Sequence, residues 1–197
     1  MLDLNRDATH DRRPFLAIMP WDRGFRGWDP IEAQTGEPWH PAGARVQALA
    51  PDEPEAAAQA LIEAITERRI SALLLVGRTR HSGPIRLQTR AENRTLDGRD
   101  RHDHTAAGVV RATVPAGDIL RELNRAGLAA QIASDAEEDA GSYLLYRVLA
   151  ALPDSLSVPA VGLLRLPRDM APEPTDQAIK VAASAIARHI PALTASA

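Results

Sequence analysis

Residues 130–152, AQIASDAEEDAGSYLLYRVLAAL, carry the pattern on which α/β enzymes mount a nucleophile. Ala130, Gln131, Ile132 and Ala133 read as the end of a strand, and the small, acidic residues 134–141 turn. Leu145, Val148, Leu149 and Leu152 then fall at i, i+3, i+4 and i+7, one apolar stripe of a helix. Glu138 and Asp139 sit where a helix N-terminus favours negative charge. The position just inside such a helix calls for Ser, Cys or Thr, and here it is Leu145. Its apolar neighbours at helical spacing make Leu145 a core residue. Ser142 lies three positions earlier. Two arrangements are open to it: a nucleophile paired with His81, or a serine that satisfies backbone N–H groups near the helix start. Ser82, beside His81, has the same two readings.

Two other clusters invite chemistry. Arg78, Arg80, His81 and Arg86 crowd one loop and strand, and they are either an anion site or a solvated loop. Residues 97–104, DGRDRHDH, place His102 and His104 two apart among aspartates, a pattern found in metal sites. Arg99 and Arg101 oppose a cation there, so a solvated loop without metal is expected.

The composition removes several classes. With no cysteine there is no disulfide, no thiolate metal site and no cysteine nucleophile. A net charge of −3 gives no reason to expect nucleic acid. The first fifteen residues lack the apolar core of a signal peptide, and no apolar run is long enough to span a bilayer. A cytoplasmic protein with no membrane partner, cofactor or metal is expected.

The elements that must position these residues follow the hydrophobic pattern. Residues 1–14 are polar and read as a flexible tail, and residues 15–197 as one domain. Strands are expected at 15–19, 45–49, 71–76, 108–113, 128–134 and 159–166. The run 71–76, SALLLV, is the mark of a strand covered on both faces, and Gly77 follows at its carboxyl end, where α/β ligand sites lie. Gln88, Arg90 and Glu92 alternate with Leu87, Ala91 and Asn93 as the two faces of one strand. Asp52 is placed as the cap of a helix from Glu53, with Glu55 completing a capping box and Ala58, Leu61, Ile62 and Ile65 as its buried stripe. A second helix runs from Pro115 to a C′ glycine at Gly127. Thr175, after a stiff 172–175 connector, is placed as the cap of a last helix that buries Ile179, Ala183, Ile186 and Ile190. Residues 21–43 form a Gly- and Pro-rich loop holding Trp21, Trp28 and Trp39, either lining a ligand site or anchoring the loop. This order argues a three-layer α/β/α domain.

Three motifs resemble those of the pyroglutamyl peptidase I, or pyrrolidone-carboxylate peptidase, family, cysteine peptidases that remove an N-terminal pyroglutamate. Its nucleophile motif runs S-x-x-A-G-x-Y-x-C-N. This chain has Ala140, Gly141 and Tyr143 in register, then Leu145 and Tyr146 at the Cys and Asn positions. Residues 77–93, GRTRHSGPIRLQTRAEN, are similar to G-Q-A-G-G-R-x-x-I-x-L-E-x-x-A-x-N: Gly77, Ile85, Leu87, Ala91 and Asn93 match, Gln88 holds the glutamate position and Ser82 that of the functional arginine. The motif G-F-I-H-V-P is met by residues 162–167, GLLRLP, with Arg165 at the histidine. Asp29-Pro30 and Val114-Pro115 resemble the family's N-P and L-P pairs.

The resemblance implies a mixed, mostly parallel twisted sheet and a homo-oligomer, dimer or tetramer. It also implies that Gln88, Leu145 and Arg165 stand at the triad positions, so that the Cys/His/Glu chemistry is lost. The expected function is a non-catalytic binding or interaction protein. Trp21, Arg78, Arg80, Gln88, Ser142 and Arg165 are the candidate ligand-binding residues of the former cleft, for a small anionic or peptide ligand. Alternatively, Arg165 pairs with an acid such as Glu92, Asp135 or Glu138 and fills the cleft. The second function is a pyroglutamyl-peptidase-like hydrolase using a nucleophile such as Ser142.

Overall fold

The computed structural model of the chain describes residues 13–22, 24–25, 28–32, 35–50, 52–153 and 158–190. In chain order its elements are β1 (Phe15–Pro20), β2 (Arg45–Ala48), α1 (Pro54–Thr66), β3 (Ala72–Arg78), β4 (Ile85–Gln88), β5 (Arg90–Glu92), β6 (Val109–Arg111), α2 (Ala116–Arg125), β7 (Ala130–Ala133), α3 (Ala140–Ala150), β8 (Ala160–Leu166) and α4 (Pro172–Ala187). Residues 1–12 of the expected tail lie outside the described residues. Arg45 donates from its backbone N–H to the Pro14 carbonyl at 2.9 Å and from Nε to the Arg13 carbonyl at 3.3 Å.

One six-stranded sheet runs β2-β1-β3-β8-β4-β7. Every neighbouring pair is parallel except β4 and β8, which meet antiparallel with Leu87 opposite Leu164. β3 is buried from Ala72 to Gly77, and the pleat explains its continuous apolar run. Leu73 and Leu75 point to one side with Leu61 and Ile65 of α1 and Leu145 and Val148 of α3. Leu74 and Val76 point to the other with Ile119 of α2 and Ile179 and Ile186 of α4. The result is a mixed α/β/α sandwich. Gly127, at φ +77°, ends α2 as the C′ residue. No helix among the described residues is long and apolar enough to cross a membrane.

Three local expectations are corrected. The single strand through residues 87–93 is two: β4 ends at Gln88, and β5 leaves to pair antiparallel with β6. The Gln88 side-chain Nε2 donates to the Arg90 carbonyl at 2.7 Å and holds the bend. Gln88 is therefore buried while Arg90 is exposed. The cap of α1 is Glu53 and not Asp52. Pro54 opens the helix, where its fixed φ suits and its missing N–H costs nothing, and the Asp52 carboxylate accepts from the Glu53 N–H at 2.7 Å. For the same reason α4 starts at Pro172, with Ala171 as its cap; Pro174 still lies in the first turn, and Thr175 is an interior, fully buried residue.

Candidate functional site

Five segments converge where the sheet changes direction: the carboxyl end of β3, the end of β4, Arg165 near the end of β8, the N-terminus of α3, and Trp21 just after β1. At the centre is Arg165, whose side chain is 1% exposed. Its Nη1 donates to Asp139 Oδ2 at 2.7 Å and its Nη2 to Asp139 Oδ1 at 2.9 Å, a two-pronged fork. Nη2 also donates to Ser142 Oγ at 2.8 Å and Nε to Gln88 Oε1 at 2.7 Å. Asp139 serves twice, because as the N-cap of α3 it also accepts from the Ser142 backbone N–H at 2.9 Å. A second carboxylate, Glu137, lies 3.6 Å from Arg165 Nε and accepts from the Thr79 hydroxyl at 2.5 Å and the Arg80 N–H at 3.0 Å. Gln88 closes the ring, with Nε2 3.2 Å from Ser142 Oγ. One cation, two carboxylates and three neutral polar groups thus satisfy one another where these segments meet.

Trp21 covers this network. The Arg165 guanidinium carbon lies 5.5 Å from its ring centre. The indole also presses on two glycines: a Cβ added at Gly77 would stand 2.3 Å from the ring, and one at Gly141 2.8 Å. Both must therefore lack a side chain while Trp21 occupies its slot. The indole Nε1 is buried without a partner among the described residues.

Leu145 sits one turn into α3, fully buried in the cluster that holds Val148 and Leu149, on the sheet side of the helix. Tyr146 donates its hydroxyl to the Ala107 carbonyl at 2.8 Å, and burial raises its pKa above the ordinary phenol value. The structure brings together Trp21, Gln88, Ser142 and Arg165. Arg78 and Arg80 lie at the rim with partners of their own. Arg78 donates to the carbonyls of Pro167, at 3.1 Å, and Arg168, and it lies over the Phe25 ring. Arg80 Nη2 donates to the Glu138 carbonyl at 3.3 Å. Arg86 is held by both oxygens of Asp135, and the exposed His81 reaches the same carboxylate at 4.0 Å.

The acids named as partners for Arg165 are corrected by the geometry. Asp135 goes to Arg86, while Glu92 and Glu138 both go to Arg94. Asp139 takes their place because capping α3 carries its carboxylate over the end of β8. The signal was present in the sequence: Asp139 three residues before Ser142 is an N-cap pattern. Sequence reasoning also missed Glu137 and Thr79, which meet across 58 residues of chain. Ser142 does not cap the helix with its hydroxyl; that oxygen accepts from Arg165. Its own proton has Gln88 Oε1, at 3.3 Å, as an acceptor, and an amide oxygen is not a base that activates a nucleophile. Residues 97–104 are mostly exposed. Asp97 and Asp103 have pKa values below the ordinary carboxylate range, chiefly because the Thr95 and Thr105 hydroxyls bond to them. No group of three or more His, Asp and Glu able to hold a metal occurs among the described residues.

The sequence matches no family model and no curated protein. The fold is similar to that of pyroglutamyl peptidase I from Bacillus amyloliquefaciens, with a TM-score of 0.72 at 16% identity over 93% of this chain and all of the other. Pyrrolidone carboxyl peptidase from Thermus thermophilus gives 0.67 at 21% identity over 86% of this chain and 98% of that one. The enzyme from Thermococcus litoralis gives 0.69 at 16% over 89% and 94%. The three-layer architecture and mixed sheet are those of the pyroglutamyl peptidases.

Proposed function

We propose that this chain is a non-catalytic protein built on the pyroglutamyl peptidase fold, acting by binding or interaction, its former cleft turned into a structural plug. The observation that carries this is the satisfaction of Arg165: its fork faces Asp139, Ser142 and Gln88, and Trp21 lies over it. A guanidinium stays protonated at physiological pH and cannot serve as a general base. Leu145 has no atom that attacks a carbonyl, and Gln88 has no charge to orient or stabilise an imidazolium. A guanidinium so engaged is also poorly placed to recognise a free carboxylate, so Arg165 acts here as a strut. We further propose self-association as a dimer or tetramer, on the family resemblance together with the aromatic-bearing 21–43 loop.

The test is to rebuild the triad. Gln88→Glu, Leu145→Cys and Arg165→His are combined, with and without Trp21→Ala to clear the slot over Gly77 and Gly141. Hydrolysis of a chromogenic pyroglutamyl amide is expected above that of the unmodified chain, and more with the slot cleared. A folded combination, shown by circular dichroism, with no gain in either background would overturn the assignment of these three positions.

A further inference from the structure

β5 and β6 form a short ribbon that packs Ala91 and Val110 against the α3 layer and turns Arg90 and Arg111 outward. The register sets Arg90 directly opposite Arg111. Side chains so placed have Cβ atoms about 4.5–5.5 Å apart, and like charges there repel. Arg101 lies across Gly108, with Nη2 2.6 Å from where a Cβ at that position would stand, so the missing side chain makes room for the guanidinium. None of these three arginines has an ion-pair partner among the described residues. The acids of this region have other partners: the Asp100 carboxylate accepts from the Arg101 backbone N–H at 2.7 Å, and Asp103 accepts from the Thr105 N–H and hydroxyl. Arg94 holds Glu92 and Glu138, Asp97 lies 3.9 Å from Arg99, and Asp100 lies 3.7 Å from His104. In a chain of net charge −3, the exposed arginines of α2 are matched to acids, Arg121 to Asp118 and Arg125 to Glu122. Against that background, three unmatched arginines on the ribbon and the loop between its strands leave positive charge there without an ion-pair partner. Arg90 and Arg101 line a concavity of about 460 Å³ on the ribbon and the loop that joins its strands, with Arg94, Arg99, Glu92 and Asp100 also in its wall; Arg111 stands beside it, opposite Arg90 in the ladder.

We propose that the outer face of this ribbon, together with the concavity beside it, binds a small polyphosphate anion. One phosphate sits between Arg90 and Arg111, turning their repulsion into a clamp, and the next is taken by Arg101. Guanidinium forks match phosphate oxygens in pairs, and a volume of this size admits a triphosphate with room to spare. The groove is separate from the Arg165 network, so the inference stands or falls independently of whether the chain is catalytic.

The experiment is titration calorimetry of the full chain with inorganic triphosphate at low ionic strength, beside orthophosphate. Triphosphate is expected to bind more tightly than orthophosphate. Arg90→Gln or Arg111→Gln should weaken triphosphate binding about tenfold each, and the pair about a hundredfold. Arg168→Gln, an exposed arginine on the turn after β8, should leave it unchanged. The double variant should also melt no lower than the unmodified chain without anion, because a repulsion has been removed, and should lose the rise in Tm that triphosphate gives. Absence of binding at millimolar triphosphate would overturn the proposal. So would a double variant that binds like the unmodified chain, an equal loss in Arg168→Gln, or equal affinity for orthophosphate.

Discussion

Replacing Arg165 by methionine tests the plug at its centre. The new side chain retains most of the aliphatic stem and removes the charge. It leaves two carboxylates facing each other across the vacated guanidinium, Asp139 with its side chain 9% exposed and Glu137 with 5%. Breaking a buried ion pair from one side costs about 3–5 kcal/mol, because the remaining charge is desolvated and unpaired. Asp139 retains the Ser142 N–H, and Glu137 retains the Thr79 hydroxyl and the Arg80 N–H, which lowers the cost. Gln88 Oε1 and Ser142 Oγ each lose a charged donor, which raises it. The balance leaves the estimate within about 3–5 kcal/mol, or a fall in Tm of about 6–20 °C for a chain of this length. Urea unfolding followed by circular dichroism should show a lower midpoint with an unchanged m-value. Adding Asp139→Asn to Arg165→Met should cost less than the sum of the two single changes, by about 1–3 kcal/mol. A cost below about 1 kcal/mol for Arg165→Met, or strict additivity in the double variant, would refute the claim that Arg165 holds this region together.

Leu145→Ala should destabilise by about 2–5 kcal/mol, read in the same urea experiment, since the leucine is fully buried beneath α3. Gly141→Ala should cost about 1–3 kcal/mol by driving a methyl into the Trp21 ring, and the cost should shrink in a Trp21→Ala background. The pKa of Asp118 is held below the ordinary carboxylate value, first by its hydrogen bond from Arg121 and then by that from His189. A depressed carboxylate contributes stability above its unfolded pKa, near 4, and loses it as pH falls through the folded value. Asp118→Asn should therefore flatten the acid limb of a Tm-against-pH curve below about pH 4. Light scattering at micromolar concentration should give a mass well above the 21.3 kDa of one chain, and a monomer mass would end the oligomer proposal.

Much of the fold was legible because its signals are local. The run 71–76 could only be a strand buried on both faces, and Gly127 could end a helix in the left-handed region without strain. Two helix starts were misplaced where a proline competed with a familiar capping residue. Asp52 and Thr175 have the right chemistry for a cap, but Pro54 and Pro172 set the first helical φ. The break at Thr89 was hidden because alternation continues through it. Only the sheet exchange, with the Ala112 N–H bonded to the Thr89 carbonyl at 3.1 Å, ends β4. At the site, sequence grouped Gln88 with Arg165 through two of three motifs, and their side chains meet at 2.7 Å, while Leu145 of the third motif lies in the apolar cluster with Val148 and Leu149. Sequence did not indicate which acid Arg165 meets, because Asp139 reaches it across 26 residues of chain and Gln88 across 77. Such partners are chosen by where a helix cap projects over a sheet, which no local pattern records.

The most direct measurement is hydrolysis of a chromogenic pyroglutamyl amide by the unmodified chain, with and without iodoacetamide, beside Ser142→Ala. No turnover that depends on a thiol or on Ser142 is expected, and any trace of release should be the same in all three samples. Clear turnover by the unmodified chain, abolished in Ser142→Ala, would contradict the account.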